Sequence, residues 1–83
     1  LGIVMTIEDS WGGEIATSAI AHLAQSTPPA FHFQSSAFHE YASRAIAEGG
    51  PEMGRGYMVA PSAPGLGVEP LMDVLGPLVC EIR

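Results

Sequence analysis

Two acids, a tryptophan and a glycine pair follow one another in Glu8-Asp9-Ser10-Trp11-Gly12-Gly13, where an apolar run gives way to a helical pattern. In α/β enzymes that junction, at the C-terminal end of a strand, is where side chains from separate strands converge on a substrate. An acid beside an indole suits a substrate cation, met by Coulomb attraction from Asp9 and a cation–π contact with Trp11. The same residues also fit a quieter arrangement, with Asp9 capping the next helix and Trp11 packing at a rim. Gly12-Gly13 ahead of a helix could cradle an anion on backbone N–H groups. The glycine spacing of a dinucleotide site and the lysine of a phosphate loop are both missing, however, so a tight turn fits better.

Other chemistries find less support. His22, His32 and His39 do not follow a zinc spacing, although His32 and the His39-Glu40 pair beyond it leave a metal pair conceivable. His22 is placed to make a structural hydrogen bond to a neighbouring element. Ser10, Ser35 and Ser36 have no identifiable histidine base nearby in sequence and no glycine-serine-glycine elbow, which argues against serine hydrolysis. Cys80 has no cation or histidine close in sequence and reads as a small apolar packing residue. The chain contains no lysine, the commonest amine base.

The elements that would position these residues follow from periodicity. Leu1–Ile7 is apolar at nearly every position, which suits a parallel strand buried on both faces. Ile15, Ala16, Ala19, Ile20, Leu23 and Ala24 share a helical face over Gly13–Gln25, with Glu14 in the first turn and Ser26-Thr27-Pro28-Pro29 as the stop. Ala30–Gln34 reads as a second strand, making one right-handed βαβ unit with parallel strands. Two such strands need further strands beside them to form a stable sheet. Phe38, Tyr41, Ala42, Ala45 and Ile46 predict a second helix over Ala37–Glu48, ended by Gly49-Gly50-Pro51. A short strand at Tyr57–Ala60, a helical turn near Pro70–Leu75 and an edge strand at Leu78–Ile82 complete the expectation. Pro61 and Pro64 have a PxxP spacing, but the glycines around them suggest an ordered turn over a recognition peptide.

Size and composition set the limits. Eighty-three residues make one small domain at most, and a single core of that size is marginal. The chain opens in mid-strand on Leu1 without an initiator methionine and reads as a piece of something larger. An apolar fraction of 47% is that of a folded protein, and no run approaches the about 18 apolar residues of a membrane span. No membrane partner is therefore expected, and the N-terminus of this piece lacks the basic segment, apolar core and small-residue cleavage site of a secretory signal, which a larger parent could have carried. A net charge of −6 would repel phosphate backbones, which argues against nucleic acid. One cysteine cannot form an internal disulfide and fits a reducing, cytoplasmic setting. Ten glycines and seven prolines interleaved with apolar residues point to ordered loops.

Glu8-Asp9-Ser10-Trp11-Gly12-Gly13, then Ala19-Ile20-Ala21-His22-Leu23-Ala24, then Pro64-Gly65-Leu66-Gly67-Val68-Glu69 resemble, in order, the C-terminal end of the mandelate racemase and muconate lactonizing enzyme group of the enolase superfamily. The resemblance covers most of the chain and is strongest to the branch of cis-3-hydroxyproline dehydratases, hydroxyproline-betaine epimerases and amino-acid racemases. It implies an α/β fold: the C-terminal βαβ(α) part of a TIM-type barrel, with a tail returning toward a capping domain. Leu1–Glu8 would be the seventh strand, Gly13–Gln25 its helix and Ala30–Gln34 the eighth strand. On this division, residues 1–48 hold the last two strand-helix units and 49–83 a loop and short-strand extension. The implied activity is abstraction of the proton next to a carboxylate, with the enolate stabilised by Mg²⁺. The bases would be lysines on the second and sixth strands, and the metal ligands acids on the third, fourth and fifth, all outside this sequence. The chain alone is then expected to be inactive, contributing Asp9 and Trp11 as contacts to a small-molecule carboxylate in a parent that is a homo-oligomer. Residues 30–36 lack the acid that mandelate racemase itself carries on its eighth strand, which disfavours that particular activity. A rival reading from another class is a free-standing α/β binding module that completes its sheet by dimerising.

Overall fold

The computed structural model describes residues 2–82. Leu1, at the head of the expected first strand, lies outside the described residues. Strand β1 (Met5–Ile7) leads into helix α1 (Gly13–Ser26), a 3₁₀ turn at Pro29–Phe31 and strand β2 (His32–Ser35). A second 3₁₀ turn at Phe38–Tyr41 precedes β3 (Ala47–Glu48), β4 (Glu52–Gly54), β5 (Tyr57–Val59), β6 (Glu69–Pro70) and the short helix α2 (Met72–Leu75).

β1 and β2 pair in parallel, as the βαβ reading requires, with Met5 opposite His32, Thr6 opposite Gln34 and Ile7 opposite Ser35. The register slips by one residue at Phe33, a bulge that bends β2. The expected burial of β1 on both faces is not met: Ile3 is 61% and Val4 54% exposed. Among the described residues β1 pairs only with β2, so no other strand covers its second edge.

α1 starts one residue after Gly12 and stops where Thr27 turns extended ahead of two prolines, which cannot continue a helix. The hydroxyls of Ser26 and Thr27 each donate to the Leu23 carbonyl at 2.8 Å, satisfying an acceptor that the helix end leaves open. No side chain caps the other end, so Asp9 is not the cap that the sequence allowed. The buried face is also shifted from the expected one. Thr17, Ser18 and Ala21 are buried whereas Leu23 is 55% exposed, because the chain that α1 packs against approaches its small residues.

That chain is the segment after β2, and here the expected helix over Ala37–Glu48 gives way to a turn and a strand. The Ile46 N–H, which a helix would have used, donates to Glu14 Oε2 at 3.0 Å, while the Phe38 N–H at the head of the segment donates to Asp9. Ile46 then accepts from the Leu71 N–H at 2.8 Å, and β3 pairs antiparallel with β6. Tertiary hydrogen bonds override the apolar periodicity.

β4 and β5 form a hairpin that the sequence reading half found, closed by Arg55 and Gly56 with φ of 52° and 81°. Positive φ at both central residues is the mark of a type I′ turn. The loop from Pro61 to Val68 lies on α1, where the His22 imidazole Nε2 donates to the Leu66 carbonyl at 3.0 Å, and Gly67 N–H closes a turn on Pro64. This is the structural hydrogen bond expected of His22 and the ordered turn expected of the proline pair. Leu78–Ile82 is not a strand: Val79 is 98% and Ile82 93% exposed. An apolar run becomes a strand only against an edge with matching donors and acceptors.

The junction of β3 with this loop depends on Gly49, whose φ is +81° and where a Cβ would stand 2.8 Å from the Gly67 carbonyl oxygen. Backbone strain and a backbone clash add there. Gly49→Ala is expected to destabilise the fold by about 2–3 kcal/mol, read as a lower urea midpoint with an unchanged slope.

Candidate functional site

Parallel pairing sets the C-terminal ends of β1 and β2 side by side, and the residues just beyond them meet. The Asp9 N–H donates to Ser36 Oγ at 2.7 Å, joining the two strand ends. The Asp9 side chain turns inward and is 7% exposed. Its Oδ1 accepts from the Ser10 N–H at 2.7 Å, and its Oδ2 accepts from the buried Thr17 hydroxyl and, at 3.0 Å, from the Phe38 N–H. Burial raises the Asp9 carboxyl, but the hydrogen bonds from Thr17, Phe38, Ser10 and Trp11 together outweigh it and hold the group below its ordinary 3.8. Asp9 is a carboxylate at neutral pH.

Above it lie three rings. Trp11 stacks on Phe38 with centroids 4.4 Å apart and planes tilted by 31°, and Tyr41 stands 5.8 Å from both. Trp11 is 68% and Tyr41 73% exposed, so the cluster presents ring faces to solvent while Phe38 is half-buried between them. Ring faces carry negative quadrupole charge and attract cations. Trp11 itself has φ of 66°, a left-handed backbone that bulky residues seldom take.

Sequence reasoning singled out Asp9 and Trp11, and the structure places them at one strand end, one buried and one exposed. It missed Thr17 and Ser36, which hold Asp9, and it assigned Phe38 and Tyr41 to a helix face. The spacing of three between Phe38 and Tyr41 fits a single 3₁₀ turn equally well, and their place just after β2 was the available signal.

The remaining candidates stand apart. His39 Nε2 donates to the Pro51 carbonyl at 3.0 Å, and Glu40 lies 3.6 Å from it. His32 Nε2 is 2.9 Å from Ser35 Oγ in a groove of about 380 Å³ between α1, β2 and the β4–β5 hairpin. Ser35 therefore does have a histidine neighbour, contrary to the sequence reading, through the bulge at Phe33. Such a bond satisfies a half-buried imidazole. Cys80 is exposed and does not pack as expected. Among the described residues no three His, Cys, Asp or Glu side chains converge as a metal site, and the Asp9 oxygens are already occupied by donors. This donor set does not fit Mg²⁺.

Because the folded Asp9 carboxyl is depressed, its contribution to stability is complete above the ordinary carboxylate range and is lost as pH falls through the folded value. Unfolding midpoints measured from about pH 7 to about pH 2 are expected to drop below about pH 4, and to drop less in Asp9→Asn.

The family model described as Enolase C-terminal domain-like matches residues 1–74. A cis-3-hydroxy-L-proline dehydratase from Roseibium aggregatum is 55% identical over 75 residues, which is 90% of this chain and 20% of that protein. A solved mandelate racemase/muconate lactonizing enzyme from Roseovarius nubinhibens superposes with a TM-score of 0.86 at 44% identity, covering 93% of this chain and 21% of that one. A second such enzyme from the same organism, complexed with magnesium, superposes with a TM-score of 0.88 at 37% identity, covering 95% of this chain and 22% of its own. The chain spans about a fifth of the length of these relatives. With an α/β fold built on a parallel βαβ unit and a family match over nearly its whole length, the chain belongs to the enolase C-terminal domain-like family.

Proposed function

We propose that this chain is the C-terminal segment of a cytosolic, homo-oligomeric racemase, epimerase or dehydratase that removes the proton α to the carboxylate of a proline-type or other amino-acid substrate. The observation that carries the reading is the aromatic face of Trp11, Phe38 and Tyr41 at the C-terminal ends of two parallel strands, with the ionised Asp9 behind it. That end of a barrel is where substrates bind. The 55% identity to a cis-3-hydroxy-L-proline dehydratase supports the substrate class, because a proline-type substrate carries an ammonium beside its carboxylate.

In this reading Trp11 offers its ring face to the substrate ammonium. Asp9 adds a negative charge on the same side, which draws the cation in without surrendering its own hydrogen bonds. Phe38 and Tyr41 exclude water from one side of the cation. The resemblance implies lysine bases on strands outside this sequence, and the chain carries no lysine of its own. Magnesium is proposed for the parent enzyme, with its ligands likewise outside this chain, in keeping with the magnesium complex of a relative.

Two measurements test this. In the full-length protein with cis-3-hydroxy-L-proline or proline as substrate, Trp11→Ala is expected to raise KM about tenfold, the worth of one partly desolvated cation–π contact. An unchanged KM would remove Trp11 from the substrate. The 83-residue chain alone, with Mg²⁺ and the same substrates in D₂O, is expected to exchange no α-proton; measurable exchange would place a base within this segment.

A further inference from the structure

The backbones that carry the tightest aromatic pair are tied to one carboxylate: Phe38 by its own N–H on Asp9 Oδ2, and Trp11 through the preceding Ser10 N–H on Oδ1. We propose that Asp9, oriented by Thr17, is a positioning residue that sets Phe38 against Trp11 and so fixes the shape of the aromatic face. The functional importance of that shape rests on the substrate-facing reading given above.

Three donors of the chain itself converge on this carboxylate. Thr17 and Phe38 take Oδ2, and Ser10, the residue before Trp11, takes Oδ1. A carboxylate offers about four lone-pair directions, and three of them are taken by the chain itself. The side chain is also 7% exposed, with Thr17 entirely buried beneath it. Trp11 lies before α1 and Phe38 after β2, 27 residues apart in sequence, and nothing local fixes one relative to the other. The carboxylate does so through both backbones, while the Asp9 N–H on Ser36 Oγ secures the joint from the second strand. Thr17 touches the carboxylate from α1 and selects its rotamer, as second-layer hydrogen bonds do for groups held to a fixed geometry. Asp9 thus acts on substrate through the rings it aligns.

The experiment uses the full-length protein labelled with 5-fluorotryptophan, the Trp11 ¹⁹F resonance being assigned by its loss in Trp11→Phe. Thr17→Val keeps the Asp9 charge and loses one donor, whereas Asp9→Asn loses the charge and one acceptor oxygen. Both are expected to move the Trp11 resonance in the direction that Phe38→Leu moves it, and Thr17→Ser is expected to leave it in place. Kinetically, Thr17→Val should raise KM about tenfold with kcat changed less than about twofold, and Thr17→Ser should restore KM. A merely structural threonine would lower the thermal midpoint and leave KM and the resonance unchanged. Should Thr17→Val fail to fold, Ser36→Ala loosens the same joint and reads the same resonance. A Trp11 resonance unmoved in the folded variants overturns the proposal whatever the activity. So does a Thr17→Val KM equal to that of the unsubstituted enzyme alongside a raised KM in Asp9→Asn, which would make Asp9 a direct ligand. If the resonance moves but the unsubstituted protein turns over no amino-acid substrate, the functional reading fails and the positioning role stands.

Discussion

A buried negative charge is tolerated in a small fold only when enough donors surround it, and the Asp9 carboxylate meets that condition by drawing on three parts of the chain at once. Its donors come from the loop after β1, the middle of α1 and the turn after β2. Each of those segments must stand where it does for the charge to be satisfied. The requirement runs both ways, since Phe38 N–H and the Thr17 hydroxyl are buried or half-buried groups that would themselves be costly to leave unpaired. The interaction therefore specifies geometry more than it adds stability.

What surrounds that joint is unusual for its composition. Among the described residues Asp9, Thr17, Ser18, Ala21 and Ala47 are buried, and none of these is a large apolar side chain. The bulky apolar residues lie outward, on Ile3 and Val4 ahead of β1, on Phe33 of β2 and on Tyr57 and Val59 of the hairpin. Small residues permit close approach between α1 and the segment from Ile46 to Gly50, at the cost of little apolar area removed from water. Hydrogen bonds of definite direction, from the Ile46 N–H to Glu14 and from His22 to the Leu66 carbonyl, hold contacts that a larger core would secure by packing.

How much of this could be read from the sequence follows from which forces are local. The α1 helix was legible to within one residue, because its periodicity and its proline stop act within the segment. The parallel pairing of β1 with β2 followed from element order and the handedness of crossovers. That Asp9 and Trp11 follow the end of β1 was legible as well. The residues from 37 to 48 were not, because their helical stripe is genuine but the Ile46 N–H and carbonyl are claimed by Glu14 and Leu71 from elsewhere in the chain. Leu78–Ile82 failed for the complementary reason, an apolar pattern with no ladder to join. Thr17 and Ser36 carry no signal in one dimension, since a threonine inside a helix and a serine after a strand are ordinary until the acid between them is seen.

Trp11 carries one further implication. Its main chain sits in a conformation for which glycine is the natural occupant, so the polypeptide there would relax if the side chain were simply deleted. The indole and the backbone pull in opposite directions at a single position: glycine alone would relieve the main chain there, since even alanine keeps the Cβ that a positive φ disfavours, and it would do so at the loss of the ring that packs on Phe38.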